Sequence, residues 1–386
     1  MIRTFDDLEL MYVKEALDRG QLGWIIEGGL QERFENAFAE FTGAKIALSR
    51  NNAMNALAEA VAVSGATVGT EVLCDPIVHF GGLAALWFNA VPRFVDVDYE
   101  TYNMDPDSLR ANITELSRAV IVTHHWGYPA KIDEIRQICD EHGLFLIEDC
   151  AHATGCYYQG KHVGTFGQAG VFSFQEYKQL STGDGGMIIT DDEDLADQMR
   201  NVWAFSGESP NFMTLNWRMN EVTAAVGLGQ LQRVQGYLDD VYNVTLGILD
   251  DAIKDCSWLR TRKALPGSKT AGYWWVCTWE GDKHGLSYDR FKELNDKLGI
   301  GLGFGFNQTP PYEFDLFRGP TAYKHPDCPI RCPYYVIKSD YRYLKGLCPV
   351  TEDLMPRFVT MGLIFLTVEE AKETADKLQE AISVMG

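Results

Sequence analysis

Basic residues, long apolar runs and patterned cysteines are what this 386-residue chain has least of. Lys and Arg number 34 against 54 Asp and Glu, a formal charge of −20. A surface of that sign repels phosphate backbones and anionic lipid, so neither nucleic acid nor membrane is expected as a partner. An anionic substrate would need a local pocket that opposes this field. No uncharged apolar run is long enough to span a bilayer, and the first residues carry early acids with no apolar core. Neither a membrane span nor a secretory signal is therefore expected. The nine cysteines are odd in number and scattered, the pattern of reduced thiols in a cytoplasmic protein. Cys328 and Cys332 form a lone C-x-x-x-C without a second pair, so no metal is expected there. Asn112-Ile113-Thr114 and Asn243-Val244-Thr245 match the glycosylation pattern only by accident in a chain with no export signal.

What is present is alternation. Short β-rich runs at 45–49, 71–75, 92–97, 119–124, 144–149, 169–174 and 186–190 are separated by amphipathic stretches such as 53–63, 132–142 and 194–202. This pattern predicts an α/β fold, with a mainly parallel seven-stranded sheet covered by helices on both faces. The alternation fades after about residue 235, and the chain then turns rich in Tyr, Trp, Gly and Pro before closing on an amphipathic helix at 367–385. We therefore expect a large domain at 1–240 and a smaller C-terminal α/β domain at 241–386.

The most informative segment runs VFSFQEYKQLSTGDGGMIIT from residue 171. A buried-type strand gives way to Lys178, and Ser181-Thr182-Gly183-Asp184-Gly185-Gly186 then turns tightly into the next strand. Schiff-base chemistry needs an amine of restricted direction, desolvated enough for its neutral form to be populated. Taken alone, Lys178 is indistinguishable from a surface lysine. Upstream, an apolar strand ends in Glu148-Asp149, followed by Cys150-Ala151-His152. A carboxylate at the C-terminal edge of a parallel strand stands where α/β folds bind ligands. An Asp there keeps the nitrogen of a pyridine cofactor protonated, and His152 offers a hydrogen bond to that ring's phenolic oxygen. Asp149 and Lys178, one strand–turn unit apart, are more telling than either alone.

In these residues the chain resembles the DegT/DnrJ/EryC1/StrS sugar aminotransferases, of the fold type I pyridoxal-phosphate (PLP) class, over nearly its whole length. Trp24-Ile25-Ile26-Glu27-Gly28 with Phe34-Glu35 is similar to the family's N-terminal element, and the stretch from Pro76 to Phe80 to the strand end that packs on the cofactor. His124-His125-Trp126-Gly127 resembles its "HLYG" turn, and Glu148 to His152 its "EDCAQ/H" motif. Phe172-Ser173-Phe174, Lys178 and Gly183-Asp184-Gly185-Gly186 resemble its lysine loop. Asn216-Trp217-Arg218-Met219-Asn220-Glu221 resembles its "NYRM-E" motif, followed by Ala224-Ala225 and Gly229-Gln230-Leu231. The resemblance implies a Schiff base between PLP and Lys178, Asp149 on the pyridine nitrogen, His152 at the ring hydroxyl and Phe80 stacked on the ring. It implies phosphate binding by Ser173, and by Asn216 reaching across to the other subunit of a homodimer with sites at the interface. Relatives that act as deoxysugar dehydratases carry histidine in place of the lysine, which Lys178 argues against.

Two positions depart from the pattern. The "SGTAAL" phosphate cradle reads Asn52-Ala53-Met54-Asn55-Ala56-Leu57, so backbone amides of Ala53 and Met54 remain as donors at a helix start while the Thr hydroxyl is lost. His79 replaces the Thr before the stacking aromatic. Other motifs are decoys: the glycine run at 299–305 lacks a following helix pattern and reads as packed or flexible backbone, not a dinucleotide loop. His124-His125 has no third metal ligand at a supporting spacing. Tyr273-Trp274-Trp275 reads as core sooner than as a sugar platform, with a position at the rim of the site as the alternative. The expected activity is transfer of an amino group from glutamate or glutamine to a keto-sugar, nucleotide-linked or free, or to a keto-cyclitol. A dehydratase of the same fold, and a non-catalytic dimer that binds PLP or a sugar, remain the alternatives at this point.

Overall fold

The computed structural model describes residues 3–23, 27–203, 216–307, 309–318, 329–336 and 338–386. Residues 24–26 of the N-terminal motif, Gln308 and Cys328 lie outside them. The large sheet has seven strands: β1 (Ile46–Arg50), β2 (Glu71–Cys74), β3 (Val91–Phe94), β4 (Ser117–Thr123), β5 (Phe145–Asp149), β6 (Ala169–Ser173) and β7 (Gly186–Thr190). Their order is β1-β7-β6-β5-β4-β2-β3. Only β7 runs against its neighbours β6 and β1, so the sheet is mainly parallel, as the alternation predicts.

Side chains alternate across this sheet with the two-residue period of extended backbone. On β4, Val120 and Val122 join one apolar cluster while Ala119 and Ile121 join another. Both faces are therefore buried under helices, which is why these strands read as unbroken apolar runs. Each fully buried Val, Leu or Ile contributes about 1.5–3 kcal/mol relative to its exposed state.

Four helices matter for the site. Asp6 and Glu9 form a capping box at the start of α1 (Asp7–Arg19). The amides of Leu30 and Gln31, at the start of α2 (Leu30–Thr42), donate to the buried Glu221 carboxylate at 2.6 and 3.1 Å. The glutamate of the "NYRM-E" stretch is thus a helix-end cap that ties two distant segments. Helix α3 (Ala53–Val63) is capped by the Asn52 side chain, which accepts from the Asn55 amide at 2.8 Å, worth about 1 kcal/mol. Helix α4 (Phe80–Trp87) follows β2.

The C-terminal region builds its own antiparallel sheet from β8 (Leu259–Thr261), β9 (Trp274–Trp279), β10 (Gly303–Phe304) and β11 (Phe358–Gly362), in the order β8-β9-β11-β10. Trp275, Trp279, Val359 and Phe291 pack there in a third cluster with helix Val368–Met385, whose N-cap is Thr367. The glycine run resolves into a helix C-cap at Gly299 and the edge strand β10, with no nucleotide loop.

Candidate active site

The C-terminal ends of adjacent parallel strands bring the chemistry together. Thr123, Asp149 and Ser173 are the last residues of β4, β5 and β6, and all three line one cavity of about 260 Å³. Its other walls are Asn52, Ala53 and Met54 at the start of α3, then Val78 and Phe80, Ala151 and His152, and Gln175, Lys178 and Asp184 from the lysine loop. Of the residues given cofactor roles by the resemblance, only Asn216 does not line the cavity: it is exposed and bonded to Arg218 at 2.9 Å. A larger groove of about 550 Å³ lies between helices Asn243–Ile253 and Val368–Met385, lined by Asp251, Lys254, Asp255 and Lys372. It holds no convergent set of reactive groups.

The loop that carries Lys178 is held from three sides. Lys178 N donates to Gln175 O at 2.9 Å, Gln179 Nε2 to His152 O at 2.8 Å, and the guanidinium of Arg3 to the carbonyls of Lys178 and Glu176, both at 2.6 Å. Gly183 sits at φ 87°, where a side chain would strain the turn. A Cβ on Gly186 would lie 2.5–2.6 Å from the backbone of Asn52 and Ala53, so only glycine lets β7 start against the α3 N-terminus. That contact sets the helix's first amides at the cavity wall beside Ser173.

The electrostatics are opposed in the useful sense. Burial pushes the Lys178 amine down to about 8, only partly offset by the Asp149 carboxylate. A substantial neutral fraction of the amine therefore exists near neutrality. Burial pushes Asp149 up, against the amide of Ala151 that it accepts at 3.0 Å. Burial drives His152 well down, so its ring is neutral. Its Nδ1 accepts a long hydrogen bond from the Trp126 amide (3.4 Å), leaving the proton on Nε2 as a donor.

Three features went unread in the sequence. Tyr273, read as core, is buried and places its hydroxyl 3.2 Å from Lys178 Nζ, with its ring stacked on His152 at 4.7 Å. Aromatic spacing alone gives no sign of this. Asp75 accepts from His125 Nε2 at 2.7 Å beside the cavity. Arg3 clasps the lysine loop from the far end of the chain. The structure also brings a third candidate ligand to His124, since its ring, Glu148 and Cys150 present atoms within 4.8 Å of one another. Those atoms are already engaged. Glu148 accepts from His124 Nε2 (3.0 Å) and from the amides of Gly164, Phe166 and Gly167 (2.6–2.7 Å), and His124 Nδ1 accepts from Ala130 N at 3.0 Å. The Cys150 thiol is pushed well up by burial, so it offers no thiolate.

The donor set fits PLP. A buried carboxyl with spare acceptor capacity matches a pyridine N–H, a desolvated lysine matches the aldehyde, and the amides of a capped helix start matches a phosphate. Fold and site together define a fold type I PLP-dependent enzyme. The profile of the DegT/DnrJ/EryC1/StrS aminotransferase family matches residues 4–379, and the chain belongs to that family. It is 31% identical over 347 residues to the spore coat polysaccharide biosynthesis protein SpsC of Bacillus subtilis (strain 168), covering 84% of this chain and 87% of the relative. A GDP-perosamine synthase of Caulobacter vibrioides is 36% identical over 240 residues, 60% of this chain and 64% of that protein. The crystal structure of 3-amino-5-hydroxybenzoic acid synthase superposes with a TM-score of 0.84 at 25% identity, covering 99% of this chain and 97% of that one. The protein is a PLP-dependent transaminase.

Proposed function

We propose that this enzyme moves an amino group from glutamate or glutamine to a keto-sugar, nucleotide-linked or free, or to a keto-cyclitol. The observation that carries this is a lysine amine held near pKa 8 in the same cavity as a buried carboxyl and a capped helix N-terminus. The sugar acceptor is supported by the GDP-perosamine synthase and polysaccharide-biosynthesis relatives. PLP bound here supplies an electron sink for the bond broken at the donor's Cα.

The chain's own residues do the rest. Lys178 Nζ would hold the cofactor at its aldehyde carbon, and the same amine would take the donor's Cα proton and return it as a general acid. Asp149, buried and short of donors, would hold a proton on the ring nitrogen. His152 Nε2 would donate to the ring oxygen, and Phe80 would cover the ring. Ala53 N, Met54 N and Ser173 Oγ would hold the phosphate. Asn216 serves the phosphate of a second copy, so the working unit is a homodimer. The exposure of Asn216, outside its own chain's cavity, supports that. Residues 1–240 form the cofactor-binding unit and 241–386 the smaller one, a division supported by the separate sheet at 259–362. Among the described residues no helix is long and apolar enough to cross a membrane. A cytoplasmic location is supported by the eight described cysteines, all free.

Purified enzyme decides the matter. The wild type should show a visible cofactor band abolished by borohydride, release 2-oxoglutarate when given glutamate with a keto-sugar from a panel, and have the mass of two chains. Lys178→Ala should lack the band and lose at least about 10⁴-fold in turnover. Equal spectra for the two proteins sink the lysine assignment, keto product without 2-oxoglutarate makes the enzyme a dehydratase, and the mass of one chain removes the dimer.

A further inference from the structure

Lys178 must be comfortable both as an amine, when it takes a proton, and as an ammonium, when it gives one back. A desolvated site makes that difficult, because a group left without a partner in either state is penalised. Carboxylates only accept, amides only donate at nitrogen, and neither serves both states. A hydroxyl does.

Tyr273 supplies one. It stands immediately before β9, and so reaches the lysine from the C-terminal sheet rather than from the strand edges. Its oxygen lies 3.2 Å from Nζ, and the amine rests 4.7 Å from its ring centroid. The ring is fixed by stacking on His152 at 4.7 Å and 29°, and the Tyr273 carbonyl accepts from Leu363 N at 3.2 Å. The Tyr273 hydroxyl has lone pairs to accept with and an O–H proton to give, and Lys178 Nζ is the partner it meets. Burial pushes the phenol up to about 12, so it stays protonated wherever the enzyme works.

We propose that Tyr273 is a positioning residue for proton transfer: its hydroxyl donates to Lys178 Nζ as the amine and accepts from it as the ammonium, keeping the nitrogen aimed through both halves of the proton shuttle. When Nζ takes the Cα proton, the Tyr273 O–H rotates from donor to acceptor, and it rotates back when Nζ gives the proton up. Tyr273 itself gains and loses nothing. The amino donor and the cofactor supply the electron pair already assigned to them, so no further reactant is needed. This inference rests on Lys178 being the cofactor lysine and base.

Tyr273→Phe removes the hydroxyl and keeps the ring, its stacking and its contact with the amine. In the holoenzyme, the half-reaction with glutamate should slow roughly fivefold to tenfold in kcat with KM within about twofold. The primary isotope effect with Cα-deuterated glutamate should rise, because proton transfer becomes more rate-limiting. In the cofactor-stripped full chain, the pH midpoint for reductive methylation of Lys178, read by mass spectrometry, should fall by roughly half to one unit below wild type. A hydroxyl stabilises the charged amine more than the neutral one, which sets that sign. An unchanged melting temperature confirms that the fold is intact. If the midpoint and the isotope effect both match wild type, the inference is overturned and the contact is only packing. If instead Lys178→Ala keeps a borohydride-sensitive band, it is the lysine assignment that has failed.

Discussion

Glu148 and Asp149 are neighbours on one strand with the same chemistry and opposite fates. Alternation along β5 sends them to opposite faces of the sheet. Glu148 is fully buried and accepts four hydrogen bonds, from His124 Nε2 and from the amides of Gly164, Phe166 and Gly167. Asp149, almost as buried, accepts among the described residues a single side-chain hydrogen bond, from Ala151 N, and burial pushes its pKa up. One acid is saturated and holds a loop in place. The other is kept short of donors at a cavity wall, where a cofactor proton can complete it. Burial alone separates nothing here. What separates a structural carboxylate from a chemical one is how much of its hydrogen-bonding capacity the protein has already filled.

Breaking each acid should therefore give opposite phenotypes. Asp149→Asn keeps the shape and removes the charge that favours a ring proton. We expect kcat/KM to fall by about 10²–10³-fold, with a urea midpoint no lower than wild type. Retained activity with lost stability would reverse the roles assigned to the two acids. Glu148→Gln turns an amide NH₂ toward backbone N–H donors, and should cost roughly 2–4 kcal/mol of unfolding free energy. The protein that remains folded should keep kcat within a few-fold. The smallest effect concerns the lysine. Cofactor-free wild type should take up PLP faster as pH rises through about 8, because only the neutral amine reacts. Asp149→Asn should shift that midpoint downward, since the carboxylate raises the Lys178 pKa. Glu148→Gln should leave it in place, and stopped-flow absorbance distinguishes the three proteins.

Most of the sheet was legible because periodicity is local. The seven predicted runs match β1 to β7 within two residues at most ends, with β3 ending earlier, at Phe94, and the stretches 53–63 and 132–142 coincide with helices Ala53–Val63 and Ile132–His142. That Lys178, Asp149, His152, Ser173, Phe80, Ala53 and Met54 share a cavity was legible because each lies in a contiguous motif. Tyr273, Arg3 and Asp75 were not, for a physical reason. Their roles arise from contacts between segments far apart in sequence, such as the 95 residues between Lys178 and Tyr273, which no local pattern encodes. Glu221 was singled out as part of a motif, but its work as a cap for α2 needed the structure. The His124–Glu148–Cys150 grouping shows the converse, since proximity suggests a metal until the hydrogen bonds are counted.

The Arg3 clasp has a practical corollary. The loop that carries Lys178 is gripped by Arg3, whose guanidinium holds carbonyls 175 and 173 residues away in sequence. Affinity handles, fluorophores and surface tethers belong on exposed side chains far from that contact. Placed beside Arg3, the same handle would pull on the peptide that carries Lys178, and a poorly active preparation would then report on the engineering rather than on the enzyme.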